Sequence, residues 1–165
     1  MRSQNGVTLI EVMIVLVMLG ILALLLTPAM QTYFAQGRLE SAAESLYGDI
    51  HLARSTAIKQ STAVNLVFQT GTTWCYGITT AANCNCNTGT CNLNNVNSND
   101  FPGTILSITS GFAGNTTQFD AVRAAASNTG SVTLTASTGE SVIVSINGLG
   151  MPKVCSSTVR GYSAC

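Results

Sequence analysis

Glu11 is a carboxylate inside an otherwise apolar run that begins at Gly6 and ends at Pro28. A charge in such a segment is costly unless a group of opposite charge neutralises it. Neither lysine nor arginine occurs within the run. The partner of Glu11 must therefore come from another chain or from a newly made N-terminus, and Glu11 is the first candidate functional residue.

The cysteines are the second group of residues that could carry chemistry, either as disulfides or as metal ligands. All six cysteines follow the apolar run, which suggests an exported domain in an oxidising compartment. A zinc site built on C-x-C-x4-C is an alternative, but it lacks the usual C-x2-C spacing and a nearby histidine. We therefore expect disulfides, with no metal and no cofactor. The cysteines are Cys75, Cys84, Cys86, Cys91, Cys155 and Cys165.

Catalytic chemistry has little support in this sequence. His51 is the only histidine, and it lies near Asp49 and Arg54 in a predicted helix. A surface or packing role is the ordinary one for such a histidine. No serine has a histidine partner in a recognisable arrangement. The sequence therefore predicts a protein that is not an enzyme.

The charge balance limits the class of partner. The chain has seven basic and seven acidic residues, and charged residues make up only 8% of it. A protein so poor in charge has no strong field with which to attract a polyanion. This composition argues against broad nucleic-acid binding and leaves room only for a local basic patch.

A long helix must position Glu11. Residues 7–30 are long enough to cross a bilayer, which takes about 20 helical residues, and Arg2 is a cation on the flank that is expected to stay cytoplasmic. A cleaved secretory signal is the rival interpretation, but the helical pattern continues past Pro28. An apolar stripe at steps of three and four residues then predicts an amphipathic extension to about Gln60. We expect bends at Pro28 and Gly37. The stripe consists of Leu39, Ala42, Ala43, Leu46, Ile50, Ala53 and Ala57.

Beyond the helix the apolar period changes to two, which indicates strands. The clearest sets are residues 64–68, 74–78, 132–136 and 142–146, with weaker ones at 105–108 and 117–120. Ser137 to Glu140 is typical of a hairpin turn. Residues 83–99, rich in asparagine, are expected to form an irregular loop held by disulfides. The fold class is therefore α+β, with the helix packed on an antiparallel sheet.

The N-terminal pattern resembles a known signal. Gly6 followed by V-T-L-I-E-V, an apolar run and Pro28 is similar to the class III signal of type IV pilins and type II secretion pseudopilins. The resemblance implies cleavage by a prepilin peptidase after Gly6 and N-methylation of Val7. It also implies that Glu11 meets the new amine of an adjacent subunit in the filament, and that Pro28 kinks the helix. Val7 departs from the family, which most often has phenylalanine there.

The same resemblance implies an organisation of the whole chain. Residues 1–6 would be the leader, 7–30 the transmembrane and filament-core helix, 31–60 its amphipathic extension, and 61–165 the β head with a C-terminal disulfide loop. The chain would sit in the inner membrane by its single N-terminal helix, with a periplasmic head. It would then enter an extracellular filament or its tip. Other pilin subunits and the prepilin peptidase would be its partners.

Two further stretches resemble one subgroup. A-R-S-T-A-I-K-Q, residues 53–60, and the segment 130–155 are similar to FimT and FimU minor pilins and GspH minor pseudopilins. Pilins often carry a C-terminal disulfide, which implies a Cys155–Cys165 pair. The remaining cysteines would then pair as 75 with 84 and 86 with 91, or as 75 with 86 and 84 with 91. The spacing leaves these two alternatives open.

The resemblance implies three functions. The first is a FimU-type minor pilin that connects the tip complex to the major pilin shaft. The second is a FimT-type pilin that binds DNA for natural transformation, through a G-R-x-R motif. Here that place reads Gly150-Met151-Pro152-Lys153, so Lys153 and the later Arg160 are the candidate DNA contacts, and this function is not favoured. The third is a GspH-type pseudopilin of type II secretion.

Overall fold

The structure, a computed structural model, describes residues 6–165 and the side chains of all of them except residues 25–29. The chain divides into two compact units, Met1–Phe34 and Ala35–Cys165. Helix α1, Leu9–Gln60, contributes to both.

The first unit consists of the N-terminal part of α1. Thr8 caps the helix, because its hydroxyl and carbonyl oxygens accept hydrogen bonds from the amides of Glu11 and Val12. Every described side chain from residue 6 to residue 24 is exposed, and the exposed fraction of its large apolar residues runs from 48% at Val12 to 78% at Leu9. Within the described residues, no helix combines the length and apolar character needed to cross a membrane.

The expected bends remain predictions. Position 28 and Gly37 both lie inside α1, which is continuous from Leu9 to Gln60. The side chain of Pro28 is outside the described residues. Of the expected leader, residues 1–6, residues 1–5 also lie outside the described residues.

The second unit buries the predicted helical stripe. All seven stripe residues, from Leu39 to Ala57, are at most 1% exposed, so the sequence prediction is confirmed. The helix ends where Ser61 adopts a left-handed conformation with φ of 48°. There the amide of Thr62 donates to the carbonyl of Ala57, which satisfies one of the last carbonyls of the helix.

Two antiparallel four-stranded sheets complete this unit, where the sequence predicted one. Their orders are β3-β2-β1-β5 and β4-β6-β7-β8. The second sheet arises because β4 pairs with β6 while β5 returns to β1. The strands are β1 (Val64–Gln69), β2 (Cys75–Thr79), β3 (Asn94–Asn97), β4 (Thr104–Gly111), β5 (Thr116–Phe119), β6 (Gly130–Ala136), β7 (Ser141–Ile146) and β8 (Pro152–Cys155).

All six strands expected from the two-residue period are present; that period did not predict the other two, β3 and β8. The segment 83–99 is therefore not irregular throughout. Asparagine disfavours strands, but the backbone of β3 pairs with β2 from Asn94↔Ile78 to Asn97↔Cys75. Since backbone groups make this ladder, side-chain preference does not decide it.

Strand β2 is buried along its whole length. Tyr76 and Ile78 belong to the main core with the helical stripe, while Cys75 lies in a small cluster with the other cysteines of the same region. A Cβ on Gly77 would lie 2.2 Å from Sγ of Cys91. Glycine is therefore needed where the disulfide-held segment covers the second face of β2.

Candidate functional site

Three disulfides hold the loops of the head. Cys155 pairs with Cys165 as expected. Of the two alternatives for the other four, the structure has Cys75–Cys86 and Cys84–Cys91. No cysteine is free, so the C-x-C-x4-C segment offers no thiolate for zinc.

The predicted cleavage site and Glu11 lie close together at the start of α1. Gly6 and Val7 precede the helix and are exposed, so the bond between them is not part of a hydrogen-bonded helix. Val7 and Glu11 line one shallow groove of about 230 Å³ with apolar neighbours of the next turn. The carboxylate is also in the first helical turn, where the helix dipole favours negative charge.

A partly buried polar cluster joins the helix to the first sheet. The hydroxyl of Tyr76 donates to Oδ2 of Asp49 at 2.7 Å and lies 3.1 Å from Oγ of Ser45. Nδ2 of Asn94 donates to Oδ1 of Asp49 at 2.7 Å. Both carboxylate oxygens therefore have a donor, and burial, with the nearby charge of Asp49, raises the pKa of Tyr76. Sequence reasoning missed this cluster because its members are far apart along the chain.

The two candidate DNA contacts have different surroundings. Lys153 is exposed on β8 and pairs in register with Ser145. Arg160 lines a groove of about 620 Å³ together with Glu40, Glu44 and Tyr162. Two carboxylates in the same groove weaken the positive potential that Arg160 would offer to phosphate.

The turn that stands in the G-R-x-R position is held in place by the helix. Nη2 of Arg54 donates to the carbonyl of Leu149 at 3.3 Å. Gly150 has φ of +74°, and a Cβ there would lie 2.2 Å from the carbonyl oxygen of Ala124. The turn exposes Leu149 and Met151, so the side chain in place of the first arginine of the motif is apolar and not cationic.

His51 has an aromatic packing partner. Its ring lies edge-on to that of Tyr47, with centroids 4.8 Å apart. The interaction places the imidazole along the helix surface, where both residues are partly buried. This geometry agrees with the packing role expected from the sequence.

Comparison with known families gives two matches. Residues 42–150 match the sequence model described as Type II transport protein GspH. Residues 1–27 match the prokaryotic N-terminal methylation motif. No curated protein and no solved structure matches the chain. The two matches cover the helix with Glu11 and most of the head.

Proposed function

Since this chain belongs to the GspH family and is a type IV pilin-like minor pilin or pseudopilin, we propose that it connects a tip complex to the shaft of a type IV pilus. The observation that carries the proposal is the exposed apolar surface of α1 up to residue 24, with Glu11 in its first turn. An apolar surface of this extent requires cover. Copies of the same helix from neighbouring subunits would provide it.

Glu11 would set the register of that packing. Cleavage after Gly6 would create an amine on Val7, and an adjacent subunit would bring this amine to Glu11. Inside a helical bundle the two charges attract strongly, and either one alone is penalised by several kcal/mol. A subunit displaced along the bundle would leave both charges unpaired, so only the correct register is stable.

Processing would precede assembly. The methylation motif supports a chain that is held at the inner membrane by its N-terminal helix, with the head in the periplasm. The exposed, non-helical Gly6–Val7 bond suits access by a peptidase. We propose that other pilins and the peptidase are its protein partners, and that the chain has no catalytic role.

Type II secretion is the second candidate function. The description of the matching family supports it directly. The helix would act in the same way in a pseudopilus, because both assemblies need to cover an apolar helix and to pair Glu11. The two candidate functions differ in the assembly that the subunit joins, a pilus or a pseudopilus, and not in the chemistry of the subunit.

The test of the assembly role uses the full chain in its own cell. We compare Glu11→Ala with Glu140→Ala, a control at a half-buried glutamate of the head beside the turn between β6 and β7. We expect Glu11→Ala to remain in the membrane fraction and to fall at least about tenfold in sheared filaments, because losing one partner of a buried ion pair costs about 3–5 kcal/mol. Equal amounts of both variants in filaments would overturn the proposal.

A strain that lacks this chain distinguishes the pilus function from the pseudopilus function. Loss of surface pili with normal secretion of exported enzymes supports the pilus function. Normal pili with blocked secretion supports the pseudopilus function and overturns the pilus function. Complementation with the Glu140→Ala chain controls for expression in either case.

A further inference from the structure

One end of the head carries most of its positive charge. We call this surface the cationic end; it consists of residues 54–60 of α1 and the turns 120–126 and 147–153. Four of the seven basic residues of the chain lie in these ranges, and Asp120 is the one acidic residue there. The four are Arg54, Lys59, Arg123 and Lys153. The surface therefore favours a partner of negative charge.

Main-chain contacts fix the two turns against each other. The amide of Ala126 donates to the carbonyl of Gly148 at 3.2 Å, and a Cβ on Gly150 would lie 2.2 Å from the carbonyl oxygen of Ala124. Ala124 itself has φ of 48–50° character in the left-handed region, at 50°, which a residue with a Cβ seldom adopts. Arg54 joins the second turn to the helix. The surface is thus ordered before a partner binds, which lowers the entropy cost of association.

Apolar side chains stand among these charges. Val122 is 78% exposed on the first turn, and Leu149 is 71% exposed on the second, where Met151 is exposed as well. An apolar centre with a polar rim is the usual composition of a protein interface. The phosphate backbone of a nucleic acid would gain from the basic residues and nothing from the apolar ones, so the composition favours a protein partner.

A groove beside the C-terminal disulfide loop has complementary properties. It measures about 620 Å³ and is lined by α1 and by the loop. Oε1 of Glu40 accepts from Nε2 of Gln36 at 2.8 Å, and Oε1 of Glu44 accepts from the hydroxyl of Tyr162 at 3.0 Å. Both donors are neutral, so the two carboxylates keep their charge. Arg160 offsets one of them, and this acidic groove retains a net negative charge.

A single chain cannot bring its own turn to its own groove. Glu44 precedes Arg54 by ten residues of α1, which corresponds to about 15 Å along the helix axis. The turn 147–153 is held on the Arg54 side by its hydrogen bond to that side chain. The turn of one copy can therefore reach only the groove of another copy.

We propose that the cationic end of one copy of this chain docks in the acidic groove of a second copy. Leu149 and Met151 enter the groove, and Lys153 meets Glu40 and Glu44. Because the turn and the groove are different surfaces, the contact is heterologous and repeats in one direction, as in a helical filament. The inference adds a contact between heads and does not depend on Glu11.

The test is photo-cross-linking of the full chain in detergent micelles. One preparation carries p-benzoylphenylalanine at Leu149, and the other is the parent chain labelled with ¹⁵N, so that mass spectrometry identifies links between copies. We expect links from position 149 to labelled peptides that contain residues 37–44 or 160–162. The same probe at Asn83, which is exposed and outside both surfaces, should give few such links.

Charge reversal on each surface provides the decisive comparison. Arg123→Glu combined with Lys153→Glu, in the chain that carries the probe, should reduce the links at least about tenfold, because like charges then face each other. Glu40→Lys combined with Glu44→Lys, in the labelled chain, should have the same effect. Mixing the two reversed chains should restore the links, since the charges are again opposite, and this restoration also shows that both variants fold.

Three results would overturn the proposal. Position 149 could form no link to the groove, charge reversal could leave the yield unchanged, or added duplex DNA could take the probe in place of a second copy. Each of these results leaves the role of Glu11 unaffected, because that role is measured separately by the amount of Glu11→Ala in filaments.

Discussion

Tyr76 donates a hydrogen bond of 2.7 Å to the carboxylate of Asp49, and this bond ties the helix to the first sheet of the head. Asp49 has a second donor in Asn94 on β3. The asparagine-rich segment, strand β2 and the helix are thus connected through one carboxylate. The surroundings of Asp49 determine how much of the stability of the head depends on the hydroxyl of Tyr76.

Removing that hydroxyl tests the connection. Tyr76→Phe leaves one oxygen of Asp49 without its donor, so we expect the free energy of unfolding to fall by about 1.5–3 kcal/mol, the range for hydrogen bonds to charged groups. Tyr33→Phe, at a ring that is 73% exposed, should change it by less than about 0.5 kcal/mol. Chemical denaturation measures both, and equal effects would show that the bond contributes nothing.

Gly77 and Gly48 should respond in opposite directions to alanine. A Cβ on Gly77 would lie 2.2 Å from Sγ of Cys91, whereas a Cβ on Gly48 meets nothing within 4 Å. We expect Gly77→Ala to destabilise the head by about 1–3 kcal/mol through overpacking. Gly48→Ala should stabilise the helix by about 1 kcal/mol.

A double variant locates the cause of the Gly77 effect. Paired alanine substitutions at Cys84 and Cys91 remove Sγ of Cys91, the atom nearest to the new methyl group, and leave the Cβ of residue 91 at 2.9 Å. The cost of Gly77→Ala should then shrink by more than the roughly 0.5 kcal/mol expected of independent sites. An unchanged cost would place the strain elsewhere in β2.

Tyr162 predicts a loss of stability at high pH. Partial burial and its 3.0 Å hydrogen bond to Glu44 raise the pKa of Tyr162 to about 12. A pKa above the ordinary value of about 10 means that folding favours the protonated phenol. The stabilisation is complete below pH 10 and is lost as the pH rises through 12.

Tyr162→Phe isolates this contribution. The difference in unfolding free energy between the parent chain and the variant should be constant up to about pH 9 and should shrink towards pH 12, because the variant has no proton to lose. Denaturant titrations at several pH values give the difference. A difference that grows with pH would contradict the assigned direction.

The parent chain and a variant that carries the G-R-x-R motif should differ in their binding of DNA. The exposed turn presents Met151, and Arg160 shares its groove with two glutamates. We therefore expect the full chain to show no salt-dependent affinity for duplex DNA, and Lys153→Ala and Arg160→Ala to change nothing. Restoring G-R-x-R with Met151→Arg and Lys153→Arg should create binding that weakens with salt. Strong binding by the parent chain would contradict this prediction.

Sequence reasoning predicted the elements whose signals are local. The stripe from Leu39 to Ala57 follows the helical period, so its burial could be read from spacing alone. The alternation in β6 and β7 similarly reported one buried face. Strand β3 was not predicted, because asparagine does not favour strands. The pairing of β3 depends on the open edge of β2, which the local sequence of β3 does not show. The division into two sheets could not be predicted, because the alternation of apolar residues along a strand does not show which other strand it pairs with.

By itself, the sequence determined the family, the apolar helix with Glu11 and the α+β class, because these depend on residue order within short windows. Tertiary structure alone decided the pairing of Cys75 with Cys86, the Tyr76–Asp49 bond and the contact of Arg54 with Leu149. It also brought the turns that carry Val122 and Leu149 together at one end of the head. Each of these depends on distances between residues that folding brings together from separate parts of the chain, and no local pattern encodes such a distance.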